Sequence, residues 1–130
     1  MPQALQQLFE QYRDAFNRLD GEAIARFYAV PSGIAQDGIY THWADFEAIR
    51  SNMVGLCNLY RDNGYVTAHF EHSTFLPQGP NHAVVSLSWH IDRSQDQEPW
   101  RFQTSYNLLR TESGWRILLC TAYEEQRLDC

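Results

Sequence analysis

The sequence contains no lysine, and all ten of its basic side chains are arginines, scattered from Arg13 to Arg127. Schiff-base chemistry on a lysine amine is therefore excluded. Cysteine is also scarce. Cys57, Cys120 and Cys130 are odd in number and share no metal-like spacing, which predicts reduced thiols, two packed and one at a free end, rather than a disulfide framework. No apolar run reaches the roughly 18 residues that a membrane-spanning helix needs, and the N-terminus lacks the basic and apolar regions of a secretory signal. The chain therefore reads as soluble and cytoplasmic, without a membrane partner. A net charge of −6 with no basic stripe disfavours nucleic acid as a partner. No glycine-rich loop leads into a helix to cradle a phosphate, and Ser86 and Ser88 lack a nucleophile-elbow pattern. His69 and Glu71 share a strand face, but His72 takes the opposite one and His42, His82 and His90 fall in separate segments. No metal and no cofactor are expected.

What remains is one domain's worth of chain: 130 residues, 44% hydrophobic and 14% aromatic, enough to bury a core. From Ala4 to Leu19 the apolar positions Leu5, Leu8, Phe9, Tyr12, Ala15, Phe16 and Leu19 follow the spacing of one helical face. Asp20 is placed to cap a short second helix that buries Ala23, Ile24, Phe27 and Tyr28 and ends at Pro31. The pair Asp37-Gly38 between short apolar arms signals a type I′ hairpin, with a continuous bulged strand as the alternative. Asp45 is placed to cap a third helix carrying Phe46, Ile49, Met53, Leu56, Cys57 and Tyr60 on one side, closing at Asn63-Gly64.

Beyond Gly64 the pattern changes to four strands, 65–76, 82–93, 100–110 and 115–124, divided by turn clusters. Short connections favour antiparallel hairpins. Three helices followed by long strands predict an α+β fold in which the helices cover one face of the sheet.

Helix 1 ending in Asn17-Arg18-Leu19-Asp20-Gly21, Phe27-Tyr28 closing helix 2, and the hairpin from Tyr106 through Gly114-Trp115-Arg116-Ile117 resemble the NTF2-like superfamily. The likeness covers nearly the whole chain and implies a cone-shaped, cystatin-like fold with a pocket between three helices and a curved, mostly antiparallel sheet. That superfamily includes ketosteroid isomerases, polyketide cyclases of the SnoaL type and many proteins of unknown role. In the isomerases a carboxylate base moves a proton while a tyrosine and a protonated aspartic acid hold the oxyanion. The resemblance puts the oxyanion tyrosine at Tyr12, the base at Gln36 with Asp37 next to it, and the protonated acid at Tyr106. One match in three argues against the isomerase reaction itself.

Strand alternation assigns Phe102, Thr104, Tyr106 and Leu108 to the inner face, together with Ile117, Leu119, Thr121 and Tyr123. On the strand 82–93 the mixed row Val84, Ser86, Ser88 and His90 is expected to look inward. The apolar row Val85, Leu87, Trp89 and Ile91 would then form an outer patch for a homodimer contact. Phe16, Tyr28, Tyr40, Trp43, Tyr106, Leu119 and Tyr123 complete an aromatic lining suited to a small hydrophobic or aromatic molecule. Three readings stay open. The first is a binding module whose ligand affinity changes within a few fold on Tyr12→Phe or Asp37→Asn. The second is a cofactor-independent isomerase, cyclase or dehydratase with Asp37 or His90 as base and Tyr12 and Tyr106 as donors. The third is a dimerising structural domain with a filled interior.

Overall fold

The apolar stripe at the start of the chain forms helix α1 (Gln3–Asn17), which buries Leu5, Leu8, Phe9, Tyr12 and Ala15. The computed structural model describes residues 1–94 and 97–126, so Cys130 lies outside the described residues. Leu19 adopts the left-handed conformation, φ 53°. Its N–H donates to the Phe16 carbonyl at 2.9 Å and that of Asp20 to the Ala15 carbonyl at 3.1 Å, which closes the orphaned end of α1. The turn delivers Asp20 to the start of α2 (Gly21–Ala25), where its Oδ1 accepts from the Ala23 N–H at 3.1 Å.

Helix α2 is shorter than its apolar spacing suggests, and Pro31 does not end it. Strand β1 (Tyr28–Gln36) begins three residues after α2, and Pro31 lies exposed inside it. The reason is local: the pairing of β1 slips between Tyr28 and Gly33, so the missing N–H of Pro31 falls where the ladder is already broken. Tyr28 therefore reaches the interior from a strand. β1 turns through Asp37 (φ 54°) and Gly38 (φ 78°) into β2 (Ile39–Trp43), with Gln36 opposite Ile39. Positive φ at both turn residues is the type I′ hairpin. Asp45 caps α3 (Phe46–Asp62) through a 2.9 Å bond from the Ala48 N–H, and the helix closes at Asn63 and Gly64 (φ 81°).

Strands β3 (Tyr65–Gln78), β4 (His82–Arg93), β5 (Trp100–Thr111) and β6 (Gly114–Gln126) follow. The six-stranded sheet runs β2-β1-β6-β5-β4-β3; β1 and β6 are parallel and every other pair is antiparallel. This is an α+β fold, three helices and a curved, mostly antiparallel sheet. Among the described residues no helix is long and apolar enough to cross a membrane. Cys57 and Cys120 are buried free thiols.

Two face assignments are corrected. On β4 the inward row is Val85, Leu87, Trp89 and Ile91, all buried, and the half-buried Ser86, Ser88 and His90 look outward. β4 lies between β3 and β5, and burying its apolar row under the helices removes the most apolar surface from water. The outer face is a polar ladder instead: Ser86 Oγ lies 2.8 Å from Ser105 Oγ, and Ser88 Oγ donates to Gln103 Oε1 at 2.9 Å. The apolar row that suggested a contact between copies is in the core.

On β6, Ile117 pairs with Leu108 but Cys120 pairs with Tyr106, so two residues face Asn107 where alternation expects one. This bulge reverses the alternation. Ile117 and Cys120 point inward, while Leu119, Thr121 and Tyr123 join Asn107, Ser105 and Gln103 on the outer face.

Candidate functional site

Helices α1 and α3 stand off the inner face of the sheet and leave a cavity of about 1100 Å³. Its floor is built from side chains of five elements: Tyr12 from α1, Tyr28 from β1, Trp89 from β4, Thr104 and Tyr106 from β5, and Cys120 from β6. Tyr12 Oη and Tyr28 Oη lie 2.8 Å apart. The Trp89 indole N–H donates to Thr104 Oγ1 at 3.0 Å and to Tyr106 Oη at 3.2 Å. The rings lock this arrangement: Tyr12 packs edge-on against Phe16, Phe27 and Tyr106 with centroids 5.1, 5.7 and 5.9 Å away. Ile34, Met53, Leu56, Leu59, Tyr60 and Phe102 form the walls. Polar side chains gather at the rim, where Gln36 and Asp37 come from the β1–β2 hairpin, Asn63 from the end of α3 and Arg93 from the end of β4.

Burial is the main cause that raises the Tyr12, Tyr28 and Tyr106 hydroxyls well above the ordinary tyrosine range. Cys120 is pushed up to about 12 by burial, against the pull of a hydrogen bond with Tyr28. The floor is thus a set of neutral donors and acceptors through the whole physiological range. It holds a carbonyl or hydroxyl oxygen well. Among the described residues no carboxylate, imidazole or guanidinium belongs to it.

These shifts carry a sign. A group whose folded pKa is raised contributes stability that is fully present below its unfolded pKa, about 8.5 for Cys and about 10 for Tyr, and is lost progressively as pH rises from there toward the folded value. Stability is expected to fall as pH rises from about 9. In a titration followed at 295 nm, Tyr12, Tyr28 and Tyr106, three of seven tyrosines, should ionise only as the circular dichroism signal of the fold is lost.

The structure brings together Tyr12, Phe16, Tyr28, Gln36, Asp37, Thr104 and Tyr106 around the cavity. It separates the others. Tyr40 is exposed on the far side of β2, with its Oη 2.8 Å from His42 Nδ1. Trp43 is buried against the Tyr28 ring, centroids 5.5 Å apart, and stays behind the lining. Leu119, Thr121 and Tyr123 are turned outward by the β6 bulge. His90 lies on the outer face with Nε2 2.8 Å from Asp92 Oδ1, and Asp92 Oδ2 bonds His69 Nε2 at 2.9 Å. Sequence reasoning missed Trp89 and Cys120 at the floor and Arg93 at the rim. The unbroken apolar row of β4 was the available signal for Trp89. No comparable signal marks a bulge between two leucines.

Residues 3–125 match the model of a family described as NTF2-like protein (DUF6841). No curated protein matches the chain. Among solved structures, an NTF-2-like protein of unknown function from Shewanella oneidensis MR-1 is 15% identical with TM-score 0.74, covering 92% of this chain and 95% of that one. A domain of unknown function with a cystatin-like fold from Nostoc punctiforme PCC 73102 is 16% identical with TM-score 0.76, over 97% and 78% of the two chains. A ketosteroid isomerase-like protein from Erwinia carotovora atroseptica SCRI1043 is 13% identical with TM-score 0.71, over 92% of each. Identities this low speak for a shared fold alone.

Proposed function

Because this chain belongs to the NTF2-like (DUF6841) family, we propose that its cone works as a binding module for a small, flat, lipophilic molecule bearing a hydroxyl or carbonyl oxygen. The observation that carries this reading is the neutral hydroxyl and indole cluster at the bottom of an aromatic cavity of about 1100 Å³. A cavity of that volume weighs against a filled interior. The walls favour an apolar body at about 25 cal/mol per Å² removed from water, and the floor orients its oxygen.

Geometry favours holding over turning over. Acid–base chemistry at the floor needs a base beside it, and His90 is on the outer face. Asp37 sits three positions beyond Ile34, which is level with Cys120 and Tyr106. That is about 10 Å along the strand.

The test is a fluorescence titration with 2-naphthol and with naphthalene, which differ by one hydroxyl. Saturable quenching is expected for both, with 2-naphthol tighter by about tenfold, the worth of one buried hydrogen bond. Tyr12→Phe should change the 2-naphthol affinity by no more than a few fold, since Tyr28 and Tyr106 remain at the floor. Absence of saturable quenching by either compound would refute the reading. A loss of a hundredfold on Tyr12→Phe would shift support to oxyanion chemistry.

A further inference from the structure

The inward row of β4 continues past Trp89 and Ile91 to Arg93, which lines the cavity at its rim. The Arg93 guanidinium lies 4.4 Å over the centroid of the Trp100 ring. Its Nε donates to the Asn63 carbonyl at 2.9 Å, its Nη1 to the Glu98 carbonyl at 3.4 Å and its Nη2 to the Gln97 side-chain carbonyl at 3.0 Å, which leaves one N–H on each terminal nitrogen. These neutral partners orient the planar fork without neutralising it. Among the described residues no Asp or Glu carboxylate oxygen lies within 4.0 Å of it, whereas Arg13, Arg26 and Arg50 each pair with a carboxylate.

The one carboxylate that lines the cavity among the described residues is distant. Gln36 is level with Ala122, Thr104 and Leu87, so Asp37 stands about five residues short of Arg93 along the strands and three strands away. That separation, roughly 20 Å, exceeds twice the Debye length of about 8 Å at physiological salt. The two ends of the mouth are therefore electrostatically independent. The chain as a whole carries −6 and repels anions, so an oriented guanidinium with no carboxylate partner among the described residues, opening onto an apolar cavity, selects for something the surface does not.

We infer that the ligand is an aromatic carboxylic acid, with its rings in the cone and its carboxylate on Arg93. This rests on the reading of the cavity as a ligand site and adds the charge of the ligand to it. A guanidinium fork matches a carboxylate in two parallel hydrogen bonds, and the Trp100 face beside it covers the adjoining ring. Along β5 the inward residues Tyr106, Thr104, Phe102 and Trp100 span about 20 Å, room for two linked rings between floor and rim.

The experiment compares 4′-hydroxybiphenyl-4-carboxylate with its neutral 4-carboxamide by tryptophan fluorescence, in the unmodified protein and in Arg93→Met, which keeps an apolar stem. The carboxylate should bind about tenfold tighter than the amide in the unmodified protein, and the two should bind alike in Arg93→Met. Equal amide affinity in the two proteins establishes that the variant retains its cavity. Equal affinities for acid and amide in the unmodified protein would overturn this inference alone, as would a preference that survives Arg93→Met. Binding of neither compound would overturn it together with the cavity reading beneath it.

Discussion

Replacing Gly21 with alanine is expected to destabilise the fold by about 3 kcal/mol, lowering the midpoint of thermal unfolding by roughly 10 °C. A Cβ at this position would stand 2.6 Å from the Val54 backbone nitrogen, 2.7 Å from its Cα and 2.9 Å from the Met53 carbonyl carbon. Those atoms belong to the main chain of α3 and cannot rotate away. The two helices would have to separate, and α3 is the wall that carries Met53, Leu56 and Leu59 into the cavity. Gly55, in the same helix, is the control. A Cβ there meets nothing within 4 Å, so Gly55→Ala should stabilise by up to about 1 kcal/mol through helix propensity and the smaller entropy of the unfolded chain. Chemical denaturation of the two variants tests both signs. A Gly21→Ala protein as stable as the parent would remove the close approach of α2 to α3 from the account.

Asn17→Ala is expected to cost about 2 kcal/mol. β3 is an edge strand, so the polar groups on its free side find no neighbouring strand. The Asn17 amide supplies one: Oδ1 accepts from the Ala68 N–H at 2.8 Å and from the Tyr65 hydroxyl at 2.6 Å, and Nδ2 reaches the Ala68 carbonyl at 3.5 Å. Ala68 is buried and lines the cavity, so truncation leaves its N–H without a partner beside an apolar interior. Asn17→Asp keeps both acceptor contacts and should lose clearly less, as urea unfolding midpoints will report. Equal losses for the two variants would mean that the hydrogen bonds to β3 contribute nothing.

These two residues explain why Asn17-Arg18-Leu19-Asp20-Gly21 was readable as a mark of the fold. Each position answers a different demand: Asn17 ties α1 to the sheet edge, Leu19 reverses the chain, Asp20 caps α2, and Gly21 admits α3. Helix starts and turns were equally legible, since capping and positive φ act within a few residues. The Asp20 and Asp45 caps and the Asp37-Gly38 turn stand where the sequence placed them.

The candidate site was only half legible. Tyr12 and Phe16 were found because helical spacing places them without knowledge of any partner; Tyr28 was also named, but as part of a helix, whereas it enters from β1. The sheet side failed where the decision was not local. Whether Val85, Leu87, Trp89 and Ile91 or their polar neighbours face the helices depends on what covers the sheet, and the even period of a strand permits either. One extra residue on β6 then exchanged Leu119, Thr121 and Tyr123 for Cys120 and Ala122 in the lining.

The sequence by itself determined that an α+β domain of helices on a long-stranded sheet would form, because periodicity, caps and turns depend on residues close together along the chain. Only the tertiary structure decided what the cavity offers. Its neutral floor of tyrosine hydroxyls and indole, and the arginine at its rim, join residues up to about a hundred positions apart, and their meeting depends on strand pairing and one bulge. Interactions of that range leave no local trace, because the partner that gives each side chain its role is absent from its own segment.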